Sequence, residues 1–472
     1  MMDLVLKNAR VVTPFKEFNG WVAVRGERIA AMGDNDDPPR AERVIDCQGK
    51  ALIPGVVEPH THLGVSGRAT HAEEVQSETA VATLGGITVV FEHLRRKDNL
   101  YREIMPSIID EVSPILHVDF GFHLGITKHE HCAEIPECAE RWGLRSYKLN
   151  IGGYGKEQNP YKAVVADNAL IYDCMVNAAS ITPQGIVMTH CEDVALVDHF
   201  IRVVRDERGG GSGGLKSWNE ARPPFCEDLD MRRAARLAKL TGAKWYVPHT
   251  TIDTGPGIAA DCYREGTQVV LETCPQYLYL TCEDPYQVGA LGKVNPPIRP
   301  REHVEAIWEG IKNGLVRVIG TDHVPLEKGG KSIWEELPGF LGMQVLLPIM
   351  ISEGIHKRGL TLRQVVEICC YNPARTFYLY PRKGTIEVGS DADLTLIDME
   401  LEAECSDEWL QTKVTNVYKG IRFKGWPVVT VCRGSVVMEN REIVGKPGWG
   451  KCVQLPGDDR EPALDLSEAI WR

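Results

Sequence analysis

The two ends of the chain share one pattern of hydrophobic and polar positions, and the middle has another. In residues 1–55 and 376–445, apolar and polar residues roughly alternate over short segments such as 4–12 and 427–432. Alternation of this kind is typical of strands with one buried face. We therefore predict a small β-sandwich domain to which both termini contribute, followed by a C-terminal tail over residues 446–472 that could supply a subunit contact.

The middle of the chain, residues 56–375, alternates short apolar runs with longer amphipathic stretches. The amphipathic stretches, for example 228–240 and 301–313, have the spacing of helices that cover a core. The apolar runs that indicate buried parallel strands are 51–57, 87–91, 118–126, 145–149, 185–189, 244–248, 268–272 and 316–320. Strands that alternate with helices in this number predict the α/β class and a (β/α)₈ barrel.

The C-terminal ends of these strands hold polar residues of the kinds found in active sites. His60 and His62 lie two positions apart, so their side chains leave a strand on the same side. The ends of later strands carry Lys148, His190, His249 and Asp322. Each histidine taken alone is more often a hydrogen-bonded core residue than a ligand. Their joint convergence on the face where barrel active sites form is hard to obtain from packing and indicates a functional site.

The composition limits the partners that the protein is expected to bind and the compartment in which it is expected to act. A formal net charge of −12 argues against a basic nucleic-acid-binding face, so we expect no nucleic-acid partner. The chain has no apolar run of about 18 residues, and its first residues lack a signal-peptide pattern, so we expect neither a membrane span nor secretion. The 14 cysteines are scattered without a CxxC pair, which favours reduced thiols in a cytoplasmic protein.

Longer motifs connect the chain to a known family. Pro54-Gly55 precedes the paired histidines, and further motifs are 272–278 (ETCPQYL), 295–299 (NPPIR), 321–325 (TDHVP), 372–375 (NPAR), 380–384 (YPRKG) and 389–394 (GSDADL). In these motifs, and over nearly its whole length, the chain resembles the cyclic amidohydrolases of the amidohydrolase superfamily. That group includes hydantoinases, dihydropyrimidinases, allantoinases and dihydroorotases.

The resemblance implies a centre of two divalent metal ions per subunit, with zinc expected and manganese as the alternative. It assigns His60, His62 and Asp322 to one ion and His190 and His249 to the other. It also implies that Lys148 is carboxylated by carbon dioxide and bridges both ions. A carbamate suits that place, because it replaces a buried ammonium by an anionic ligand between two cations.

For catalysis, the resemblance implies that a hydroxide bridging the two ions attacks the ring carbonyl. Asp322 would take the proton of the attacking water and pass it to the leaving nitrogen. Tyr154 is the nearest counterpart of the tyrosine that assists the oxyanion in hydantoinases, although Gly153 occupies the matching position. Asn295 and the main chain at Thr273 are the expected ring-recognition elements. Family members are commonly homo-oligomers, so a tetramer or dimer is expected.

Three departures from the family pattern bear on the substrate. Glu58 stands where the family usually has aspartate, and Gly64 stands where dihydroorotases have an arginine. Residues 151–155 (IGGYG) also differ from the usual hydantoinase loop. These changes disfavour dihydroorotase activity and indicate a substrate that is not standard for the group.

We therefore expect an enzyme that hydrolyses carbon–nitrogen bonds in a small cyclic amide or imide of the hydantoin or dihydropyrimidine type. An allantoinase, or a hydrolase of another cyclic imide or lactone, is the alternative, because the same centre serves each reaction. A non-catalytic scaffold relative would lack the metal ligands that this chain retains. A single-metal deaminase would generally lack the lysine at position 148.

Overall fold

The described part of the protein, in this computed structural model, comprises residues 1–35, 37–67, 69–152, 159–160, 162–283, 288–330 and 332–453. Its first strands are β1 (Met2–Val12), β2 (Glu17–Arg25), β3 (Arg28–Gly33), β4 (Ala41–Asp46) and β5 (Ala51–Pro54). Strand β1 pairs antiparallel with β2 and parallel with β4 and β5. The alternating N-terminal segments therefore form a sheet, as the sequence predicts.

Parallel strands then build the barrel. They are β6 (Val56–Thr61), β7 (Ile87–Leu94), β8 (Asp119–Gly125), β9 (Ser146–Asn150), β10 (Ile186–His190), β11 (Lys244–Val247), β12 (Val269–Thr273) and β13 (Val316–Ile319). Each strand pairs in parallel with the next one along the chain. The ring is joined where the His62 N–H donates to the His323 carbonyl at 2.9 Å. The predicted (β/α)₈ barrel is confirmed.

One predicted strand is divided in the structure. The apolar run 51–57 becomes β5, which belongs to the terminal sheet, and the start of β6, which belongs to the barrel. Gly55 separates them, and its N–H donates to the Asp393 carbonyl at 2.8 Å. A Cβ at this position would lie 2.2 Å from Thr88 Oγ1, so the close approach requires glycine. Hydrophobicity alone does not mark such a change of sheet.

Helices follow the barrel strands and cover them. Those within the described ranges are α1 (His71–Ala82), α2 (Tyr101–Val112), α3 (His129–Ala133), α4 (Ile135–Trp142), α5 (Asn168–Ser180), α6 (Val194–Arg202), α7 (Gly214–Glu220), α8 (Pro224–Thr241), α9 (Gly255–Arg264), α10 (Pro275–Tyr279), α11 (Arg301–Lys312), α12 (Leu346–Ile349), α13 (Leu362–Val366), α14 (Asn372–Thr376) and α15 (Asp407–Leu410). The helices predicted over 228–240 and 301–313 are confirmed as α8 and α11. None of the helices in the described ranges has the length and apolarity needed to cross a bilayer.

The chain returns to the terminal sheet at its C-terminal end. The strands β14 (Leu394–Glu404), β15 (Arg422–Cys432), β16 (Ser435–Glu439) and β17 (Glu442–Ile443) extend the sheet from β5. The predicted association of the two termini is confirmed, and all of these strands belong to one mixed sheet with its own apolar core. The cysteines are all unpaired, as expected from their spacing.

A buried ionic cluster connects the terminal sheet to the barrel. The Lys383 ammonium lies 2.6 Å from Asp119 at the start of β8, 3.0 Å from Asp391 and 2.6 Å from Asp393. Arg433 contacts Asp119 from the other side at 2.9 Å. The three carboxylates could by themselves surround a metal ion, but the ammonium already supplies the positive charge that they require.

Candidate metal centre

The residues predicted to bind metal lie together at the C-terminal face of the barrel. His60 is on β6, Lys148 is on β9 and His190 ends β10. The remaining ligand candidates, His62, His249 and Asp322, lie in the turns just after β6, β11 and β13. One cleft is lined by His62, Lys148, His190, His249 and Asp322. The parallel strands therefore bring residues that are far apart in sequence into one site.

His60, His62 and Asp322 form the first group. The Asp322 Oδ1 atom lies 3.1 Å from His60 Nε2 and 3.0 Å from His62 Nε2, and the two Nε2 atoms are 3.3 Å apart. Among the described residues, these side chains are one of the groups whose ligand atoms lie within 4.8 Å of one another. Imidazole nitrogens and a carboxylate oxygen are ligands that zinc accepts.

His190 and His249 form the second group, on the neighbouring side of the cleft. His190 Nδ1 faces His249 Nε2 at 2.9 Å. The other ring nitrogen of His190 contacts Glu192 Oε2 at 2.9 Å, and the buried Arg222 holds that carboxylate at 2.9 Å. A histidine whose second nitrogen is fixed by a carboxylate is typical of metal ligands, because the contact sets the tautomer and the ring orientation.

Lys148 lies between these groups with its amine buried. Its side chain is almost fully inaccessible, and Nζ has no hydrogen-bond partner among the described residues. Burial lowers the pKa of Lys148 to about 8, although Asp322 and Glu272 oppose the shift. An unpartnered buried amine is costly, so the structure fits a lysine that is modified or that bonds to a group outside the polypeptide.

Two of the proposed ligands have an unusual backbone. His249 has a φ of 43° and Asp322 a φ of 52°, both in the left-handed region that residues with a Cβ seldom adopt. Each such residue costs about 1–3 kcal/mol, and the surrounding structure must hold it in place. Strain at both positions is consistent with side chains that are positioned for function and not for stability.

Glu272, at the end of the buried run 268–272, connects the two histidine groups. Its Oε1 atom accepts from His60 Nδ1 at 2.7 Å and from the His249 backbone N–H at 3.0 Å, and Oε2 accepts from the Tyr246 hydroxyl at 2.6 Å. Burial alone would lower the pKa of His60, but Glu272 and Asp322 raise it to about 9. Glu272 lies in the ETCPQYL motif, and its place in the site was not predicted from the sequence. The feature of the sequence that could have identified Glu272 as a site residue is a carboxylate inside an otherwise apolar strand.

Glu58, the departure from the family pattern, does not reach the cleft as a ligand. Its Oε1 atom accepts from the backbone N–H groups of His60 at 2.8 Å and Thr321 at 3.0 Å, so the longer side chain joins β6 to the segment after β13. Burial raises the pKa of Glu58 to about 8. His323, next to Asp322, does not line the cleft, and its Nε2 contacts Glu78 at 3.0 Å.

The structure separates the two residues predicted to recognise the ring. Asn295 lines the cleft, and its Oδ1 accepts from the Trp218 indole N–H at 3.2 Å. Thr273 is fully buried, its hydroxyl donates to the Thr250 carbonyl at 2.8 Å, and its own carbonyl accepts from Gly320. Tyr154, predicted to assist the oxyanion, lies outside the described residues.

The similarity of the chain to known proteins agrees with this geometry. A model described as the amidohydrolase family matches residues 233–437. A D-hydantoinase of Geobacillus stearothermophilus is 31% identical over 96% of both chains, and an allantoinase of Solibacter usitatus is 29% identical over 95% of this chain and 96% of its own. The crystal structure of a dihydropyrimidinase from Brevibacillus agri superimposes with a TM-score of 0.87 at 27% identity, covering 98% of this chain and 100% of its own.

The chain therefore belongs to the amidohydrolase family. The relatives that match it over 94–96% of its length include D-hydantoinases, an L-hydantoinase and allantoinases.

Proposed function

We propose that the protein is a metal-dependent hydrolase that opens the ring of a small cyclic amide or imide of the hydantoin or dihydropyrimidine type. The observation that carries this proposal is a single cleft whose lining brings together His62, Asp322, the facing pair His190 and His249, and the unpartnered amine of Lys148. The fully buried His60 lies 3.1 Å from Asp322 and completes the group. The names of the full-length relatives support the same class of substrate.

The residues fit a centre of two divalent ions. His60, His62 and Asp322 would hold one ion, His190 and His249 would hold the other, and a carboxylated Lys148 would supply oxygen ligands to both. Zinc suits this donor set, and manganese is the alternative. Ions in this place supply a Lewis acid that polarises the ring carbonyl and makes a coordinated water more acidic.

Asp322 is the residue that would move the proton. Burial alone would raise its pKa, but His60 and His62 hold the pKa of this carboxyl well below its usual range, so the ionised form dominates near neutral pH. An ionised carboxylate at the cleft can accept the proton of the attacking water and return it to the departing ring nitrogen. Asn295 would orient the ring through its side-chain amide, and Tyr154 would stabilise charge on the carbonyl oxygen.

The proposal is tested by assaying the protein, reconstituted with zinc or manganese in bicarbonate, on hydantoin, dihydrouracil, allantoin and phthalimide. We expect ring opening of at least one of them. His190→Ala should abolish it, whereas His129→Ala, which alters an exposed histidine, should not. Reconstituted protein that opens none of these rings would contradict the proposal and favour the scaffold alternative. Release of ammonia by protein with one ion per chain would favour the deaminase.

Allantoin is the specific competitor among these substrates, because allantoinases match the chain about as well as hydantoinases do. The ratio of kcat/KM for allantoin and hydantoin decides between them. As in many family members, we propose that the protein acts in the cytoplasm as a homo-oligomer, a tetramer or a dimer. Analytical ultracentrifugation of the full chain would test the oligomer.

A further inference from the structure

Among the described residues, Arg95 is the only arginine that lines the candidate cleft, and none of the roles above belongs to it. Arg95 follows directly after β7, and its side chain is half-buried in the cleft that also contains Asp322 and Lys148. The guanidinium Nη2 lies 3.0 Å from Nδ1 of His62. The positive charge is therefore adjacent to the centre where the ring carbonyl would be placed.

Arg95 has no carboxylate within ion-pair distance in the part of the chain that the structure describes. Two other arginines at this end of the barrel are different: Arg222 lies 2.9 Å from Glu192, and Arg299 lies 3.1 Å from Glu227. Those two side chains are almost fully buried, and a guanidinium in such a place is normally paired with an anion, whereas Arg95 is half-buried at the cleft. Arg95 thus brings to the cleft a positive charge that none of the described residues neutralises.

The other described residues that line the cleft supply no free anion for it, because the carbamate proposed on Lys148 would be bound to the two metal ions. Asp322 is the only acidic residue among those that line the described part of the cleft, and its Oδ1 is engaged by His60 and His62. The chain as a whole has a net charge of −12. A cationic group that is left unpaired inside the cleft of an acidic protein indicates selection for a negatively charged ligand.

The contact with His62 is not compatible with metal binding by that residue. Coordination through Nε2 leaves the hydrogen of a neutral imidazole on Nδ1, which then cannot accept a hydrogen bond from Arg95. When a metal ion is bound to His62, the Arg95 guanidinium therefore has to donate its hydrogen bond to another acceptor. Its planar fork of N–H groups matches the two oxygens of a carboxylate better than it matches a single carbonyl oxygen.

We propose that Arg95 determines specificity by binding a carboxylate carried as a substituent on the cyclic amide. This inference rests on the proposed function and narrows its substrate class to anionic rings. The preferred substrate is then a ring such as hydantoin-5-acetic acid, with the carbonyl at the metal centre and the carboxylate on the guanidinium. The neutral ring hydantoin-5-acetamide, nearly identical in shape, is a poorer substrate.

The test compares Arg95→Met and Arg95→Lys with wild type on this matched pair of substrates. Arg95→Met should lower kcat/KM for hydantoin-5-acetic acid about 10- to 100-fold, because a charged hydrogen bond is lost, and should change kcat/KM for the acetamide by less than about threefold. Arg95→Lys should recover part of the loss, since it restores the charge without the fork. Lys97→Met, which removes an exposed charge of the same loop outside the cleft, is the control and should leave both values unchanged.

A binding measurement makes the test independent of turnover. Orotate and uracil are planar rings that differ by one carboxylate and resist hydrolysis, and their Kd values are measured by calorimetry on the metal-loaded variants. Arg95→Met should raise the Kd of orotate at least about tenfold and leave the Kd of uracil and the metal content unchanged.

The outcomes separate the two proposals. An equal loss for charged and neutral ligands, a fall in metal content, or no loss at all would overturn the role of Arg95 even if wild type hydrolyses hydantoins. If wild type hydrolyses no ring, the proposed function fails, and orotate binding alone decides the role of Arg95.

Discussion

At the scale of single residues, the centre depends on carboxylates that do not themselves face the cleft. Glu272 fixes the ring of His60 and the backbone of His249, so one side chain positions ligands of both groups. Glu192, which is held by Arg222, fixes the ring of His190. The ligands could be predicted from their types and their places at strand ends. The glutamates that hold these ligands in place could not be predicted, because the sequence does not show which histidine a buried glutamate will contact.

Replacement of Glu272 by glutamine should weaken metal binding. Glutamine keeps the size of the side chain but removes the charge that supports His60, and changes of this kind typically cost about 10- to 100-fold in metal affinity. Competition with a chelator measures the effect, and circular dichroism verifies the fold. Tyr246→Phe removes only one hydrogen bond to the same carboxylate and should have a smaller effect. Equal metal affinity in wild type and Glu272→Gln would contradict the role of Glu272.

Carboxylation of Lys148 should depend on pH in a defined direction. Burial lowers the pKa of this amine to about 8, and only the neutral amine reacts with carbon dioxide. At a fixed concentration of dissolved carbon dioxide, the activation rate of metal-free protein should fall about tenfold per pH unit below about pH 8 and level off above it. Labelled carbon dioxide should give a carbamate carbon signal that Lys148→Met lacks. A rate that does not change between about pH 6 and 8 would contradict this expectation.

At the scale of secondary-structure elements, the repeated strand–helix pattern was sufficient to predict the barrel. Most of the barrel strands are buried on both faces, and such strands appear in the sequence as short continuous apolar runs. The division of the run 51–57 could not be predicted, because its residues on both sides of Gly55 are apolar and the two parts differ only in the strands with which they pair. The positive φ angles of His249 and Asp322 are also invisible in the sequence, since both are imposed by tertiary contacts.

Gly320, just after β13, should not tolerate a side chain. A Cβ there would lie 2.5 Å from Glu272 Oε2 and 2.9 Å from His60 Cβ, so Gly320→Ala should cost about 1–3 kcal/mol and displace the carboxylate that supports the ligands. Thermal unfolding and metal content measure both effects. Gly257→Ala is the matched control: it lies in α9 with no atom near its added Cβ, and it should raise stability by up to about 1 kcal/mol. Normal stability and metal content in Gly320→Ala would contradict the argument.

At the scale of the whole molecule, the terminal sheet and the barrel are joined by buried charges as well as by apolar contacts. Lys383 holds carboxylates from the barrel strand β8 and from the segment before β14. The motifs therefore have different tasks: YPRKG and GSDADL supply Lys383, Asp391 and Asp393 to the ionic cluster that connects the two parts of the molecule, and TDHVP supplies Asp322 to the centre. Their resemblance to a family could be recognised in the sequence, but the ionic cluster required the structure.

Lys383→Met should destabilise the protein strongly without removing a ligand of the candidate metal centre. Three buried carboxylates would lose their shared cation, and breaking a buried ion pair typically costs about 3–5 kcal/mol. The melting temperature of the metal-loaded protein is the measurement. Lys419→Met, which breaks an exposed pair with Asp407, is the control and should leave the melting temperature almost unchanged. Similar melting temperatures for the two variants would show that the cluster contributes little.

The central claim is that the strand ends of this barrel assemble a two-ion hydrolytic centre. Elemental analysis of purified protein, reconstituted with zinc or manganese in bicarbonate, tests it most directly. We expect about two ions per chain, falling to about one or fewer in Lys148→Met because the bridging ligand is lost. Protein that binds no ion under these conditions, or binds the same amount with and without Lys148, would contradict it.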